Sequence, residues 1–174
     1  GGSNRTSGYN SLVDFFSSKG HAILLPDLPG HGSSPPYPKP TATIQELAEL
    51  RYGILRRFDI TSHIAVAHSL VGMITLQHAT QIPNDVSALI LIGTSDVFPP
   101  KIDELVTEEQ IFSVFKKCRQ LGVNYDFSQG LWTEDEVVIA GLDTTHPQSL
   151  EILVKTITDY DVRDKVKELY MPTL

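Results

Sequence analysis

Cysteine, basic charge and long apolar runs are all scarce in this 174-residue sequence. Each of these deficits argues against one class of protein. Cys118 is the one cysteine, so no internal disulfide can form and a reducing, cytoplasmic location is the simpler expectation. The net charge of −7 leaves no basic stripe for a nucleic acid. No apolar run approaches the roughly 20 residues that span a bilayer. The first residues lack the apolar core of a signal peptide.

What is present is the composition of an ordinary globular domain, with 41% hydrophobic and 20% charged residues. A chain of this length can bury one core. Short apolar runs predict buried strands at residues 21–25, 62–67 and 86–92. Helical spacing predicts helices at residues 9–19, 43–58 and 71–80. Strands that alternate with helices predict an α/β fold, with a mostly parallel sheet covered by helices on both faces.

Two helix boundaries carry specific signals. Thr43 and Glu46 have the spacing of a capping box, which predicts the start of the second helix. Gly20 follows the first helical pattern as a C-terminal cap would.

The second half of the sequence has a different character. After Pro99 and Pro100 it becomes more polar and mostly helical in pattern, so residues 97–160 are predicted to form an inserted helical cap, or lid, after a core of residues 1–96. Residues 161–174 are predicted to return to the core, with an amphipathic helix at 161–170 and the start of another strand at 171–174.

Ser69 is the principal catalytic candidate. It lies in the hexapeptide AHSLVG, residues 67–72, between a predicted strand and a predicted helix. A tight turn there lifts the hydroxyl above the sheet, where the helix N-terminus and the N–H of Leu70 favour an oxyanion. The usual Gly-x-Ser-x-Gly pattern has Ala67 and Val71 in place of its glycines, and we expect the β-branched Val71 to be crowded. An N-cap serine on an ordinary turn is the alternative interpretation.

Four segments resemble those of the α/β-hydrolase superfamily. PDLPGHGSS at residues 26–34 is similar to its Asp-x-x-Gly-His-Gly-x-Ser segment, and HSLVGM at 68–73 is similar to its nucleophile elbow. VSALILIGTS at 86–95 resembles its sixth strand, and MPTL at 171–174 resembles the start of its seventh. The resemblance implies a lidded α/β-hydrolase fold and a serine hydrolase of the carboxylesterase or lipase kind, with Ser69 as nucleophile.

The same resemblance assigns further roles. Gly1-Gly2-Ser3 is similar to the family's segment after strand three, which would make Gly2 the second oxyanion donor beside Leu70. The first strands and the catalytic acid and histidine would then lie outside these residues, so we expect the sequence to be part of a longer protein. Asp96 stands where some members carry the acid, but a loop or cap-hinge aspartate is the favoured interpretation. His146 in the lid is a base in principle, and more simply a surface residue.

The remaining expectations concern ligands and other chemistry. No ligand spacing predicts a metal site, and no cofactor is expected. Cys118, among basic residues, is a bystander thiol or a second nucleophile. The small-molecule substrate is expected to be an apolar acyl or aromatic compound, because residues 97–160 contain Phe98, Phe112, Phe115, Phe127, Trp132 and Ile139. Two alternatives stay open: a degenerate ligand- or partner-binding member, which Val71 favours, and a haloperoxidase- or lyase-like enzyme.

Overall fold

The computed structural model describes residues 9–39, 42–98 and 160–174. They belong to two compact units, one containing residues 9–39 and the other containing residues 42–98 and 160–174. The predicted lid, apart from its two ends, lies outside the described residues, and so do Gly2, Cys118 and His146. No helix within the described ranges is long and apolar enough to cross a membrane.

The first unit begins with α1 (Asn10–Ser18), whose C-cap is Lys19, and the predicted glycine, Gly20, follows directly. Gly20 has φ +83° and donates its N–H to the carbonyl of Ser17 at 2.9 Å. The buried strand predicted at residues 21–25 is wrong, because no strand forms there and Ile23 and Leu25 are 41% and 38% exposed. Apolar residues favour a strand only where a neighbour takes up the backbone hydrogen bonds, and no such pairing is described for this segment.

The loop that follows α1 is organised around Asp27. Its backbone carbonyl accepts the hydroxyl of Ser34 at 2.9 Å, and its carboxylate packs against Gly32, where an added Cβ would lie 2.3 Å from Oδ2. His31 is 1% exposed, and its Nδ1 lies 3.0 Å from the carbonyl oxygen of Pro29. The buried His31 ring therefore hydrogen-bonds within its own loop.

The second unit contains the sheet. Its elements are α2 (Ile44–Arg57), β1 (His63–His68), α3 (Leu70–Gln81), a 3-10 turn (Pro83–Asp85) and β2 (Val86–Ile92). The capping box is present as predicted: the Thr43 hydroxyl accepts the N–H of Glu46 at 3.1 Å, and the Glu46 carboxylate accepts the N–H of Thr43 at 2.9 Å. β1 and β2 pair in parallel, with His68 opposite Ile92 at the end of the ladder.

The core of this unit lies between the sheet and its helices. α3 packs on both strands, and α2 packs on α3. Ala65 and Ala67 point into the core and their small side chains let α3 approach closely, whereas Ile64 and Val66, on the other face of β1, are 51% and 39% exposed. Because α3 is enclosed by the sheet and α2, its buried residues include eight of its twelve positions.

The C-terminal segment joins the sheet. The N–H of Leu174 donates to the carbonyl of Leu89 at 2.9 Å, and Thr173 bridges Leu89 in parallel. The segment predicted to start a strand, residues 171–174, therefore pairs with β2 on the edge opposite β1. The predicted helix at 161–170 is too long, because α4 (Arg163–Val166) has only four residues. The chain leaves the helix early and continues in turns to Met171, which is buried beside the sheet.

A partly buried group of charged and imidazole side chains lies at the other end of β1 from Ser69, and His78 and Asp85 are its buried members. It consists of Arg51, Arg56, His63, His78 and Asp85 and is called here the His–Arg–Asp cluster. Arg56 Nη2 lies 2.5 Å from both carboxylate oxygens of Asp85. Arg51 donates to His63 Nε2 at 2.6 Å, which requires a neutral ring. Burial, followed by the charge of Arg51, lowers the pKa of His63 and of His78 to about 4.

These lowered pKa values predict an acid-sensitive fold. Between pH 6.5 and pH 4 the unfolded chain takes up protons on His63 and His78 that the folded chain does not, so stability is lost as pH falls through this range. We expect His78→Gln to reduce that loss by about 2 kcal/mol, measured by urea unfolding at several pH values. The slope of His78→Gln is compared with that of His21→Gln, a control substitution at an exposed histidine. An unaltered slope in His78→Gln would contradict the assignment.

Candidate functional site

The backbone of Ser69 is strained. It has φ +53° and ψ −128°, between the end of β1 and the start of α3. Asp59 is the other non-glycine residue with positive φ in the described part of the chain, and it lies just after α2, where that conformation is common. Ser69 lies before its helix, where a positive φ is not a common conformation. A conformation of this kind costs about 1–3 kcal/mol and persists only where the surroundings impose it.

The side chain of Ser69 does not cap α3. It makes no hydrogen bond to the helix N-terminus and is half-exposed. Thr43 provides the comparison within this chain, because it has extended backbone and its hydroxyl accepts an N–H of α2. The N-cap interpretation of Ser69 is therefore wrong, and the turn leaves the hydroxyl without a cap bond.

Both backbone groups of Ser69 are tied to neighbouring elements. Its N–H donates to the carbonyl of Ile92 at 3.0 Å, which extends the β1–β2 ladder by one residue. Its carbonyl accepts the N–H of Gly72 at 2.8 Å and the Thr94 hydroxyl at 2.9 Å. Leu70 is the first residue of α3, so its N–H has no acceptor within the helix and lies at the positive end of the helix dipole.

The crowding expected at Val71 falls instead on Gly72. Val71 is half-exposed, whereas Gly72 is buried against the side chain of Thr94. A Cβ on Gly72 would lie 2.4 Å from Thr94 Oγ1 and 2.6 Å from Cγ2, well inside van der Waals contact. Successive residues of a helix differ by about 100° in direction, so the third residue after Ser69 faces the end of β2 and the second does not. The valine is compatible with this turn.

We expect Gly72→Ala to destabilise the protein by about 1–3 kcal/mol, because the new methyl group overpacks the contact with Thr94. Gly53→Ala is the matched control: Gly53 is also a helical glycine, but no atom lies within 4 Å of an added Cβ. That change should stabilise the protein by about 0.5–1 kcal/mol. Chemical denaturation of both variants tests the contrast, and equal effects would refute the packing argument.

Of the three predicted site residues, Ser69 and Leu70 lie together at the β1–α3 turn, and Gly2 lies outside the described residues. Asp96 follows β2, and its backbone carbonyl accepts the N–H of Val162 at 2.8 Å. Residues 96–98 and 160–162 pair as short antiparallel segments, so the two ends of the predicted lid lie side by side.

Two further side chains near this edge are notable. His68, beside Ser69, is half-buried, and burial lowers its pKa. The Tyr160 hydroxyl is buried without a hydrogen-bond partner in the described ranges, and burial raises its pKa. The same ranges contain no group of three or more side chains that could hold a metal ion.

Sequence reasoning missed Thr94. Its signal was present: parallel strands end at the same edge of a sheet, and Thr94 is the first hydroxyl residue after β2, the strand beside Ser69.

The profile of the α/β hydrolase fold family matches residues 1–131 of the sequence. This chain belongs to the α/β hydrolase fold family. The predicted fold class of this α/β hydrolase is thereby confirmed, with the parallel pairing of β1 and β2 as part of it. No protein of curated function matches the sequence significantly.

Solved structures share the α/β hydrolase fold at low sequence identity. An α/β hydrolase from a Medee basin deep-sea metagenome library superposes with a TM-score of 0.78 at 19% identity. A carboxylesterase from Nitrososphaera gargenis gives 0.77 at 18%, and an N-acyl homoserine lactonase gives 0.70 at 18%. Each comparison covers 99% of this chain and 66% of the other, so the chain spans just under two thirds of their length.

Proposed function

We propose that the protein is a serine hydrolase that cleaves an ester-like bond in an acyl substrate, with Ser69 as nucleophile. The observation that carries the proposal is the positive φ of Ser69 combined with the absence of any cap hydrogen bond from its side chain. A strained residue whose side chain caps no helix at a strand–helix turn is typical of a functional site.

The geometry supports a specific division of roles. The Ser69 hydroxyl attacks the substrate carbonyl while a histidine base takes its proton. The carbonyl oxygen becomes an oxyanion, and the Leu70 N–H at the start of α3 donates to it. Gly2 is proposed as the second donor. Collapse of the tetrahedral intermediate releases the alcohol and leaves an acyl-enzyme, which water then hydrolyses.

The substrate class is proposed from chemistry shared with the structural neighbours. Carboxylesters and lactones both present a carbonyl carbon bonded to an alkoxy oxygen, so the same attack opens either. The aromatic residues of segment 97–160 favour an apolar acyl or aromatic group next to that bond. We propose that residues of this segment determine whether the enzyme prefers open-chain esters or lactones.

A fluorophosphonate probe tests the proposal on the intact folded protein. We expect one adduct, mapped by peptide mass spectrometry to Ser69, and loss of that adduct in Ser69→Ala. Hydrolysis of a short-chain p-nitrophenyl ester should fall at least about 1000-fold in the same variant. Ser87→Ala, at an exposed strand serine, is the control and should retain both signals.

Each alternative outcome has a distinct meaning. An unlabelled Ser69 in the wild-type protein would contradict the proposal and favour a degenerate binding member of the family. A labelled Ser69 without hydrolysis of any ester or lactone would favour non-hydrolytic chemistry. The half-exposed position of Val71 weakens the first alternative, because the valine no longer argues for an impaired turn.

A further inference from the structure

The Thr94 hydroxyl donates a hydrogen bond to the Ser69 carbonyl, and Thr94 lies outside α3. Among the described residues, three donors reach this oxygen: the N–H of Gly72 at 2.8 Å, the N–H of Met73 at 3.3 Å and Thr94 Oγ1 at 2.9 Å. The first two belong to the first turn of the helix and accompany any helix that starts here. The third depends on the identity of one side chain at the end of β2.

Both the hydroxyl and the methyl group of Thr94 make contacts at this turn. Its hydroxyl points at the Ser69 carbonyl, while its Cβ and methyl group pack on Gly72, where an added Cβ would lie 2.5 and 2.6 Å from them. Gly93, with φ +53°, turns the chain at the end of β2 and brings Thr94 to this position. A β-branched side chain has few χ1 rotamers, so this packing also holds the direction of the hydroxyl.

The Ser69 carbonyl and the Leu70 N–H belong to the same peptide unit. That unit is planar and trans, so its C=O and N–H point in opposite directions and rotate together. A hydrogen bond that fixes the carbonyl therefore also fixes the direction of the N–H. The same bond polarises the peptide unit and makes its N–H a stronger donor.

We propose that Thr94 is a positioning residue that aims the Leu70 N–H at the oxyanion of the reaction. This inference rests on the proposed function, since it needs Ser69 as the nucleophile. Thr94 acts through the Ser69–Leu70 peptide unit, on the side opposite to the developing charge. Its effect belongs to the transition state, because an oxyanion forms there and not in the bound substrate.

Three variants of the intact protein test the proposal. Thr94→Val keeps the branched shape and removes the hydroxyl, and it should lower kcat by about 10- to 100-fold with KM changed less than about 2-fold. Thr94→Ser keeps the hydroxyl and should retain activity within about 3-fold of wild type. Thr80→Val is the matched control, because Thr80 also donates to a backbone carbonyl of α3 at 2.9 Å, but at the far end of the helix.

A transition-state analogue separates positioning from general structural damage. The affinity of a trifluoromethyl ketone, whose adduct with Ser69 places an oxyanion at the same position, should fall in Thr94→Val by the same factor as kcat/KM, while the affinity for the uncharged alcohol product stays unchanged. The pH dependence of kcat should keep its midpoint, because no titrating group has changed. Thermal unfolding within a few degrees of wild type is expected for all three variants.

The inference is overturned if Thr94→Val keeps wild-type kcat, if Thr94→Ser loses as much activity as Thr94→Val, or if Thr80→Val loses as much as either. It is also overturned if KM rises in Thr94→Val while kcat stays constant. A wild-type protein that reacts with the fluorophosphonate at Ser69 and is indifferent to Thr94→Val would reject this inference alone. A wild-type protein unreactive at Ser69 would reject the proposed function with it.

Discussion

The hydrogen bond from the Ser69 N–H to the Ile92 carbonyl is the constraint on which the candidate site depends. It continues the parallel ladder one residue past β1, at a residue whose own carbonyl already begins α3. The N–H of Ser69 thus makes a hydrogen bond of the sheet, and its C=O makes the first hydrogen bonds of the helix. The chain therefore has to turn from strand to helix within the φ and ψ angles of this one residue. The strained backbone of Ser69 and its hydroxyl without a cap bond are consequences of this arrangement.

The constraint holds because α3 is anchored at both ends. At its start, Gly72 lies against Thr94 with no room for a methyl group. Near its end, His78 is enclosed in the His–Arg–Asp cluster, which also includes residues of α2 and β1. Removing the partner of a buried charge such as Asp85 is costly, so the cluster restricts how the elements around it can shift. The helix therefore cannot move away from the sheet to relieve the strain at Ser69.

Much of this arrangement follows from local sequence signals. The capping box at Thr43, the apolar run of β2 and the turn at Ser69 predicted elements that the structure places within a residue or two. Failures occurred where the outcome depends on partners distant in sequence. The apolar run at 21–25 lacks the pairing that makes a strand, and the spacing at 161–170 did not reveal that the chain must reach the sheet at Met171. Which of Val71 and Gly72 faces Thr94, and hence the role of Thr94, depends on how α3 sits against β2.

Replacement of Ser69 by glycine and by alanine tests the central claim of strain most directly. If the turn imposes a positive φ, Ser69→Gly should be more stable than wild type by about 1 kcal/mol, because glycine adopts that conformation without strain. Ser69→Ala should match wild type, since the strain stays and no cap is lost. Unfolding free energies in which both variants are less stable than wild type, with alanine worse by about 1 kcal/mol, would instead identify Ser69 as an ordinary helix cap and contradict the account.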